Sequence, residues 1–198
     1  MAQLILDMSM SLDGFIAGPA DGPDAGLGID GHRLHGWLAD GSGDDPATFR
    51  PDGPSGDIFD EMMATGAVLV GRRTFDIAGQ WNGDHHDGVP IFVVTHRPPD
   101  DPPTGPATIT YVTDGIASAA AQAKAAAGDR NVMLHGADTA QGCLRAGVLD
   151  EMEIHVVPVL LGQGRRLFDH LGAAHIELEL MRVVDAPGVT HLRYRVRH

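Results

Sequence analysis

Three short apolar runs, each cut off by a glycine or a polar turn, constrain the fold most: AVLVG (67–71), PIFVVTH (90–96) and NVMLHG (131–136). Runs this short do not make buried helices, and without polar alternation both faces of the strand must be covered. Strands covered on both faces belong to parallel sheets, whose neighbours are joined by helical crossovers. Residues 108–136 have that form: a strand, the alanine-rich run GIASAAAQAKAAA that Gly128 stops, and a second strand. Asp114 is the expected N-cap of that helix.

The rest of the chain fits the same plan. Residues 4–11 read as a first strand, followed by the turn-like SLDGFIAG. Residues 19–55 carry many glycines, prolines and aspartates, as a long irregular loop would, with one helical turn at RLHGWL (33–38). From Gly56 the segment DIFDEMMATG places Ile58, Met62 and Met63 on one helical face, and Gly66 is the stop. TFDIAG begins a short helix, and DTAQGCLRAG a longer one with Asp138 as N-cap and Gln141 completing a capping box. EMEIHVVPVLLG predicts a long strand in which Pro158 marks an edge or a bulge. IELELMRVV and THLRYRVR alternate with period two around DAPG, which predicts an antiparallel hairpin. The expectation is an α/β protein with a mostly parallel central sheet and an antiparallel C-terminal hairpin, forming one domain over residues 1–198.

Composition narrows the function. At 43% hydrophobic and 21% charged the chain is a folded globular protein, not a disordered one. A net charge of −13 opposes nucleic acid and anionic membranes as partners, because both need a basic surface. Cys143 is alone, so no intrachain disulfide forms, and a reducing compartment is expected. MAQLILDMSMSLDGF has no basic leader, and Asp7 interrupts its apolar run, which reads as a strand of a cytoplasmic protein.

Several patterns reduce to structure. GLGIDG (26–31) satisfies G-x-G-x-x-G, but no strand precedes it, so it reads as loop and not as a dinucleotide fingerprint. DHHD (84–87), His32 and His35 lack metal-ligand spacing and read as solvated or mobile loop; no metal is expected. His191, Arg193, Arg195 and Arg197 read as the wet face of the last strand, with Glu177 and Glu179 as cross-strand partners. Two arginine pairs resist such a reading. Arg72–Arg73 follows AVLVG, Arg165–Arg166 follows VVPVLLGQG, and Arg97 ends a third strand. Guanidinium forks bind phosphate bidentately, and glycine lets a ligand approach the backbone, so a phosphate-bearing ligand stands beside scattered surface charge as the two readings. HGADTAQ passes from strand to helix in one step, which is either an anion site of backbone N–H groups or a plain turn. Asp13, Asp57, Asp60 and Glu61 are the carboxylates available as a proton source.

In this order SMSLDGFIAG, TGAVLVGRRTFD, PIFVVTHRPP and NVMLHGADTAQGCLRAGVLDEMEIHVVPVLLGQGRRLF resemble the dihydrofolate reductase-like superfamily. The likeness is stronger to the branch holding the reductase domain of the bifunctional riboflavin-biosynthesis deaminase/reductase. The resemblance implies a three-layer fold with NADPH across the strand ends. It places Gly71, Arg72, Arg73 and Thr74 near the cofactor phosphates and Thr95, His96 and Arg97 at the adenosine 2′-phosphate. It places His135, Gly136, Ala137, Asp138 and Thr139 at the pyrophosphate. Asp13 and Asp57 become the acid or substrate-orienting candidates, and Trp37, Arg165 and Arg166 the substrate contacts. True folate reducers usually carry two or three glycines where this chain has His135-Gly136-Ala137, and a tryptophan just ahead of their acid, so folate is not the expected substrate. Deamination is not expected either. The implied activity is an NADPH-dependent reduction of a small heterocyclic or sugar-linked substrate, similar to that of 5-amino-6-(5-phosphoribosylamino)uracil reductase. The alternative is a protein that binds NADPH without turnover. Homodimers are common in the superfamily, and one is expected here.

Overall fold

The computed structural model describes residues 1–38 and 50–197. The chain runs through β1 (Leu4–Ser11), β2 (Phe15–Ala17), a 3₁₀ helix (Gly31–Leu38), α1 (Gly53–Met63), β3 (Ala67–Gly71) and α2 (Arg72–Ile77). After a left-handed turn at Gly79–Gly83 come β4 (Ile91–Val94), β5 (Ile109–Val112), α3 (Ile116–Ala127), β6 (Val132–His135) and α4 (Ala137–Arg145). The last elements are β7 (Glu151–Val157), β8 (Arg165–Arg166), β9 (Leu178–Ala186) and β10 (Val189–Val196). Eight strands form one sheet in the order β5-β4-β3-β6-β1-β7-β10-β9. The first six are mutually parallel, and β10 is antiparallel to both β7 and β9. A small antiparallel pair, β2 with β8, brings the Arg165–Arg166 segment back beside the first strand.

Both faces of the parallel strands are buried, as their uninterrupted apolar runs require. On one face Leu4, Leu6, Leu69 and Leu134 meet Ala119 and Ala123 of α3 and Ala140 of α4. On the other, Val68, Val70, Ile91 and Val93 close around Phe75 of α2. Each fully buried Val, Leu or Phe contributes about 1.5–3 kcal/mol, so these two layers carry most of the driving force for the sheet. The two helices that follow β3 and β6 therefore leave toward opposite faces. Among the described residues, no helix is long and apolar enough to cross a membrane.

Several local expectations are corrected. Helix α4 starts at Ala137 with Gly136 as its N-cap at φ 95°, so Asp138 lies inside the first turn and no capping box forms. Gly115, at φ 106°, caps α3, and Asp114 instead accepts a hydrogen bond from Ser118 at 2.8 Å. Helix α1 begins at Gly53, ahead of Gly56, with a proline in its first turn where no N–H is needed. Strand β7 ends at Val157: Pro158 stops it instead of bulging it. Part of the 19–55 loop, residues 39–49, lies outside the described residues.

The supposed wet face of β10 is buried. His191 is fully buried, and Arg193 lies between Glu151 and Glu153 at 2.7 and 3.1 Å. Arg182 of β9 bridges the same Glu153, at 3.1 Å, to Glu61 of α1, at 2.6 Å. The period of two identifies a face but not what covers it; α1 packs on β9 and covers this one. Farther out, Arg195 and Arg197 do pair with Glu179, at 3.2 and 2.9 Å. Arg193→Ala removes the nearest guanidinium from Glu151 and one of the two on Glu153, so urea denaturation of that variant is expected to show a loss of about 1.5–3 kcal/mol. An unchanged midpoint would refute the assigned role.

Candidate active site

β3 and β6 are parallel neighbours that exit into helices on opposite faces, the arrangement that opens a crevice at the carboxyl ends of strands. The two exit turns lock together. A Cβ added at Gly71 would collide with Thr139 Oγ1, and one added at Gly136 would collide with Thr74 Oγ1. Only glycine permits this approach, and Gly136 also needs its positive φ. The N-terminus of α4, flanked by His135 and Ala137, thus opens directly beside the start of α2.

Arg72, Arg73, Thr95, His96 and Arg97 line one cleft of about 660 Å³ at the start of α2. Asp76 holds Arg72 at 2.7 Å and Asp21 holds Arg73 at 3.0 Å. Arg97 is highly exposed, 3.6 Å from Asp100. Ile77 is wall to both this cleft and an inner cavity of about 420 Å³.

The inner cavity is built from the strand centres. Asp7 and Ser9 of β1, His135 of β6 and His155 of β7 form its floor, and Trp37, Trp81 and His85 its sides. Trp37 donates Nε1–H to Ser9 Oγ at 2.9 Å and lies 4.7 Å from the His155 ring. Trp81 sits in a turn where Gln80, Trp81 and Asn82 all have φ near the left-handed value, at 57°, 47° and 50°. Non-glycine residues there cost on the order of 1–3 kcal/mol each, and this strain sets the indole against His85 at 4.6 Å.

Two histidine chains converge on Asp7. His135 Nδ1 lies 3.0 Å from the Asp7 carbonyl, which only an N–H can satisfy. Its Nε2 then accepts from His85 Nε2–H at 3.2 Å, and His85 Nδ1 accepts from His86 at 2.7 Å. The second chain reaches the carboxylate: His155 Nε2 stands 3.2 Å from Asp7 Oδ1, His155 Nδ1 2.7 Å from His191 Nδ1, and His191 Nε2 3.1 Å from Ser55 Oγ. Burial opposes ionisation of Asp7, but the charge and hydrogen bond of His155, with His135 and His85 beyond, hold its pKa below the usual value. Burial, then the neighbouring imidazoles, pushes His85 down to about 2 and His191 to about 4. Burial also lowers His135. Among the described residues, no group of three His, Cys, Asp or Glu side chains is arranged to hold a metal ion.

The structure separates the other sequence candidates. Asp13 accepts from Ser11 Oγ at 2.6 Å, Leu161 N at 3.1 Å and Gly162 N at 2.7 Å, so both its oxygens tie the strand-one turn to the chain after β7. Asp57 has a side chain 84% exposed, 3.8 Å from Arg50, on the outer side of α1. Trp37 lies in the inner cavity, as the resemblance implies. Arg165 and Arg166 line a different cavity of about 380 Å³ with Asp21 and Asp138. Arg165 bonds Asp21 at 3.1 Å, and Arg166 lies over the Phe15 ring at 4.5 Å. Asp7, His85 and His155 were not among the expected site residues. DHHD is no solvated loop, since His86 is only 5% exposed and Asp84 accepts from Gly88 N at 3.1 Å. His35 belongs to the 3₁₀ helix and stands exposed at the cavity rim. The signal for Asp7 was present: a carboxylate inside an otherwise apolar strand covered on both faces needs a partner.

A mostly parallel sheet closed by an antiparallel hairpin is a dihydrofolate reductase-like fold. The chain belongs to the RibD C-terminal domain family, whose family model matches residues 2–192. It is similar to a putative riboflavin biosynthesis protein from Shewanella sp. PV-4, at 22% identity over 100% of both chains with a TM-score of 0.74. It is also similar to the diaminohydroxyphosphoribosylaminopyrimidine deaminase/5-amino-6-(5-phosphoribosylamino)uracil reductase of Thermotoga maritima, at 13% identity, 99% of this chain, 57% of that one and a TM-score of 0.62. A third likeness is to Enterococcus faecalis dihydrofolate reductase in complex with NADP(H) and RAB-propyl, at 13% identity, 99% and 97% coverage and a TM-score of 0.59. Comparison with curated protein sequences gives no significant match. These structural likenesses carry the fold.

The depressed histidines set a pH dependence of stability. Folded pKa values near 2 for His85 and near 4 for His191 lie below the ordinary 6.5, so the unfolded chain binds more protons between those values. Stability is full above pH 6.5 and falls as the pH drops toward 4. At pH 5 each histidine is expected to remove at most about 2 kcal/mol relative to pH 8. Urea midpoints measured from pH 8 to 5 check this; a flat profile contradicts it.

Proposed function

We propose that the protein is an NADPH-dependent reductase acting on a small heterocyclic or sugar-linked acceptor, in a reaction similar to that of 5-amino-6-(5-phosphoribosylamino)uracil reductase. The observation that carries this reading is the gathering of Arg72, Arg73 and Arg97 around one cleft that shares Ile77 with a cavity lined by Thr74 and His135 of the interlocked turns and by a buried carboxylate. The residues fit the cofactor. Arg72 and Arg73 present guanidinium groups for phosphate oxygens, Thr95, His96 and Arg97 suit a 2′-phosphate, and the turn from His135 to Thr139 offers backbone amides to the pyrophosphate. When bound there, the cofactor supplies a hydride; the chain contributes orientation, exclusion of water and a proton.

Asp7, not Asp13 or Asp57, is the carboxylate positioned to meet the acceptor. The described lining of the inner cavity contains neither lysine nor arginine, and residues 39–49 contain neither. A flat, uncharged ring between Trp37 and Trp81 suits this wall. An anionic arm on the substrate would have to reach Arg165 and Arg166. Asp7 in the cavity favours turnover over a binding-only role, and NADPH oxidation with pyrimidine, pterin and quinone acceptors separates the two. We also propose a cytoplasmic homodimer, for which the exposed Leu178, Leu180, Met181 and Val183 on edge strand β9 form an apolar surface.

Calorimetric titration with NADPH is the direct test. Arg97→Ala is expected to weaken NADPH by about 10- to 100-fold, the worth of one charge-assisted phosphate bond, and to leave NADH nearly unchanged. Absence of any heat of binding in the unmodified protein would sink the proposal.

A further inference from the structure

Resting on the reductase reading only for the identity of the incoming molecule, we propose that Arg73 and Arg165 form a single phosphate site in which Asp21 is a resident anion that a ligand phosphate displaces. The inference starts from one oxygen. Asp21 Oδ2 lies 3.0 Å from Arg73 Nη2 and 3.1 Å from Arg165 Nε. The two arginines come from separate elements, α2 and β8, and reach the same atom. They also line different spaces: Arg73 the outer cleft, and Arg165 the cavity of about 380 Å³. Asp21 stands between them, its side chain only 14% exposed.

Charge and geometry both mark this carboxylate as a stand-in. Two guanidinium charges face one carboxylate charge, and both crowd onto one of its oxygens. Asp138 approaches Arg165 only to 3.9 Å and is mostly exposed, so water screens its contribution. A phosphate monoester carries a charge of about −1.5 to −2 at neutral pH and three acceptor oxygens. It matches the two arginines in charge and gives each an oxygen of its own. Burial raises the pKa of Asp21, but the hydrogen bonds and charges of Arg73 and Arg165 outweigh it and hold it below the usual value. Asp21 therefore competes for the site as an anion at neutral pH.

The loop that carries Asp21 is fixed at its neck and latched at its tip. Gly18 N donates to Leu27 O at 2.8 Å and Ile29 N to Pro19 O at 2.9 Å, which closes residues 18–29 into a ring. A Cβ added at Gly18 would collide with the Ile29 carbonyl, and one at Gly28 with the Pro19 carbonyl, so the neck is built for glycine. Beyond it Pro23, Asp24 and Ala25 are exposed. Asp21 ties this tip down through its two ion pairs and through its carbonyl, which accepts from Arg73 Nη2 at 2.9 Å. The same loop gives Pro23 to the outer cleft and Gly26 and Leu27 to the inner cavity. A phosphate that takes both arginines frees the tip, while the neck keeps the loop in place.

The test has two arms on the full chain. Asp21→Asn keeps the shape of the side chain and removes its charge. In calorimetric titration it is expected to bind NADPH, ribose 5-phosphate or both about tenfold more tightly than the unmodified protein, the worth of two partly exposed ion pairs that no longer compete. A gain for NADPH assigns the site to a cofactor phosphate, and a gain for ribose 5-phosphate alone assigns it to a free phosphate monoester. Adding Arg165→Gln is expected to cancel the gain. Equal or weaker binding of both ligands by Asp21→Asn, or a gain that survives Arg165→Gln, overturns the proposal, as does binding of neither ligand to any of these proteins. The second arm needs no variant and decides if Asp21→Asn does not fold. Backbone ¹⁵N relaxation of the unmodified protein, with whichever ligand it binds, is expected to show residues 21–25 gaining mobility while Gly18 and Ile29 stay rigid. A tip that stiffens or does not change overturns the displacement. Absence of NADPH binding to every protein counts against the reductase reading, while ribose 5-phosphate still decides the role of Asp21.

Discussion

The contact on which the site depends is the mutual approach of two strand-to-helix turns, Gly71 against Thr139 and Gly136 against Thr74. It exists because neighbouring parallel strands send their helices to opposite faces, so their exits must pass each other at the sheet edge. No side chain fits in that passage. The same geometry leaves the arginines of α2 on an outer cleft and Thr74 and His135 of the two turns on the inner cavity. A turn that lacks a Cβ leaves its space to the neighbouring threonine, so each glycine is required by the packing of the other turn.

The sheet is divided chemically as well as geometrically. Around β3, β4 and β6 it is apolar on both faces. From β1 through β7 to β10 one face turns polar, with Asp7, Glu153, His155 and His191 buried and Arg193 half-buried under α1 and the 3₁₀ helix. Isolated, each of these groups would be costly to bury; joined in register they bond one another, and Glu153 Oε1 is the one of their oxygens left buried without a partner among the described residues. The polar sector is also the one that touches the inner cavity, which places the ionisable groups where chemistry can use them. The strained turn carrying Trp81 stands over the same cavity, and its cost is offset by the surrounding packing.

Much of the fold was legible from the chain. Short apolar runs gave the parallel strands, the alanine-rich run gave α3, and alternation gave the hairpin, because each pattern reflects a local period that survives into the structure. Helix starts were read less well, since Asp114 and Asp138 are good capping residues in sequence while glycines at positive φ took the cap positions. The arginine turns were readable as charges just beyond buried strands, but not their partners: Arg72 pairs with Asp76, and Arg73 and Arg165 both pair with Asp21. The inner site was not. Only Asp7, a carboxylate inside an apolar strand, stood out; His85, His155 and His191 look ordinary in sequence, and the alternation that marked β10 could not say which of its faces α1 would cover.

The sequence alone therefore determined the class of architecture and the order of its main strands and helices. The tertiary structure decided which carboxylate faces the cavity and which histidines share a proton. The reason is register: Asp7, His155 and His191 are far apart along the chain and meet only when β1, β7 and β10 pair residue against residue. Local pattern carries the period of a strand but not the partner opposite each residue.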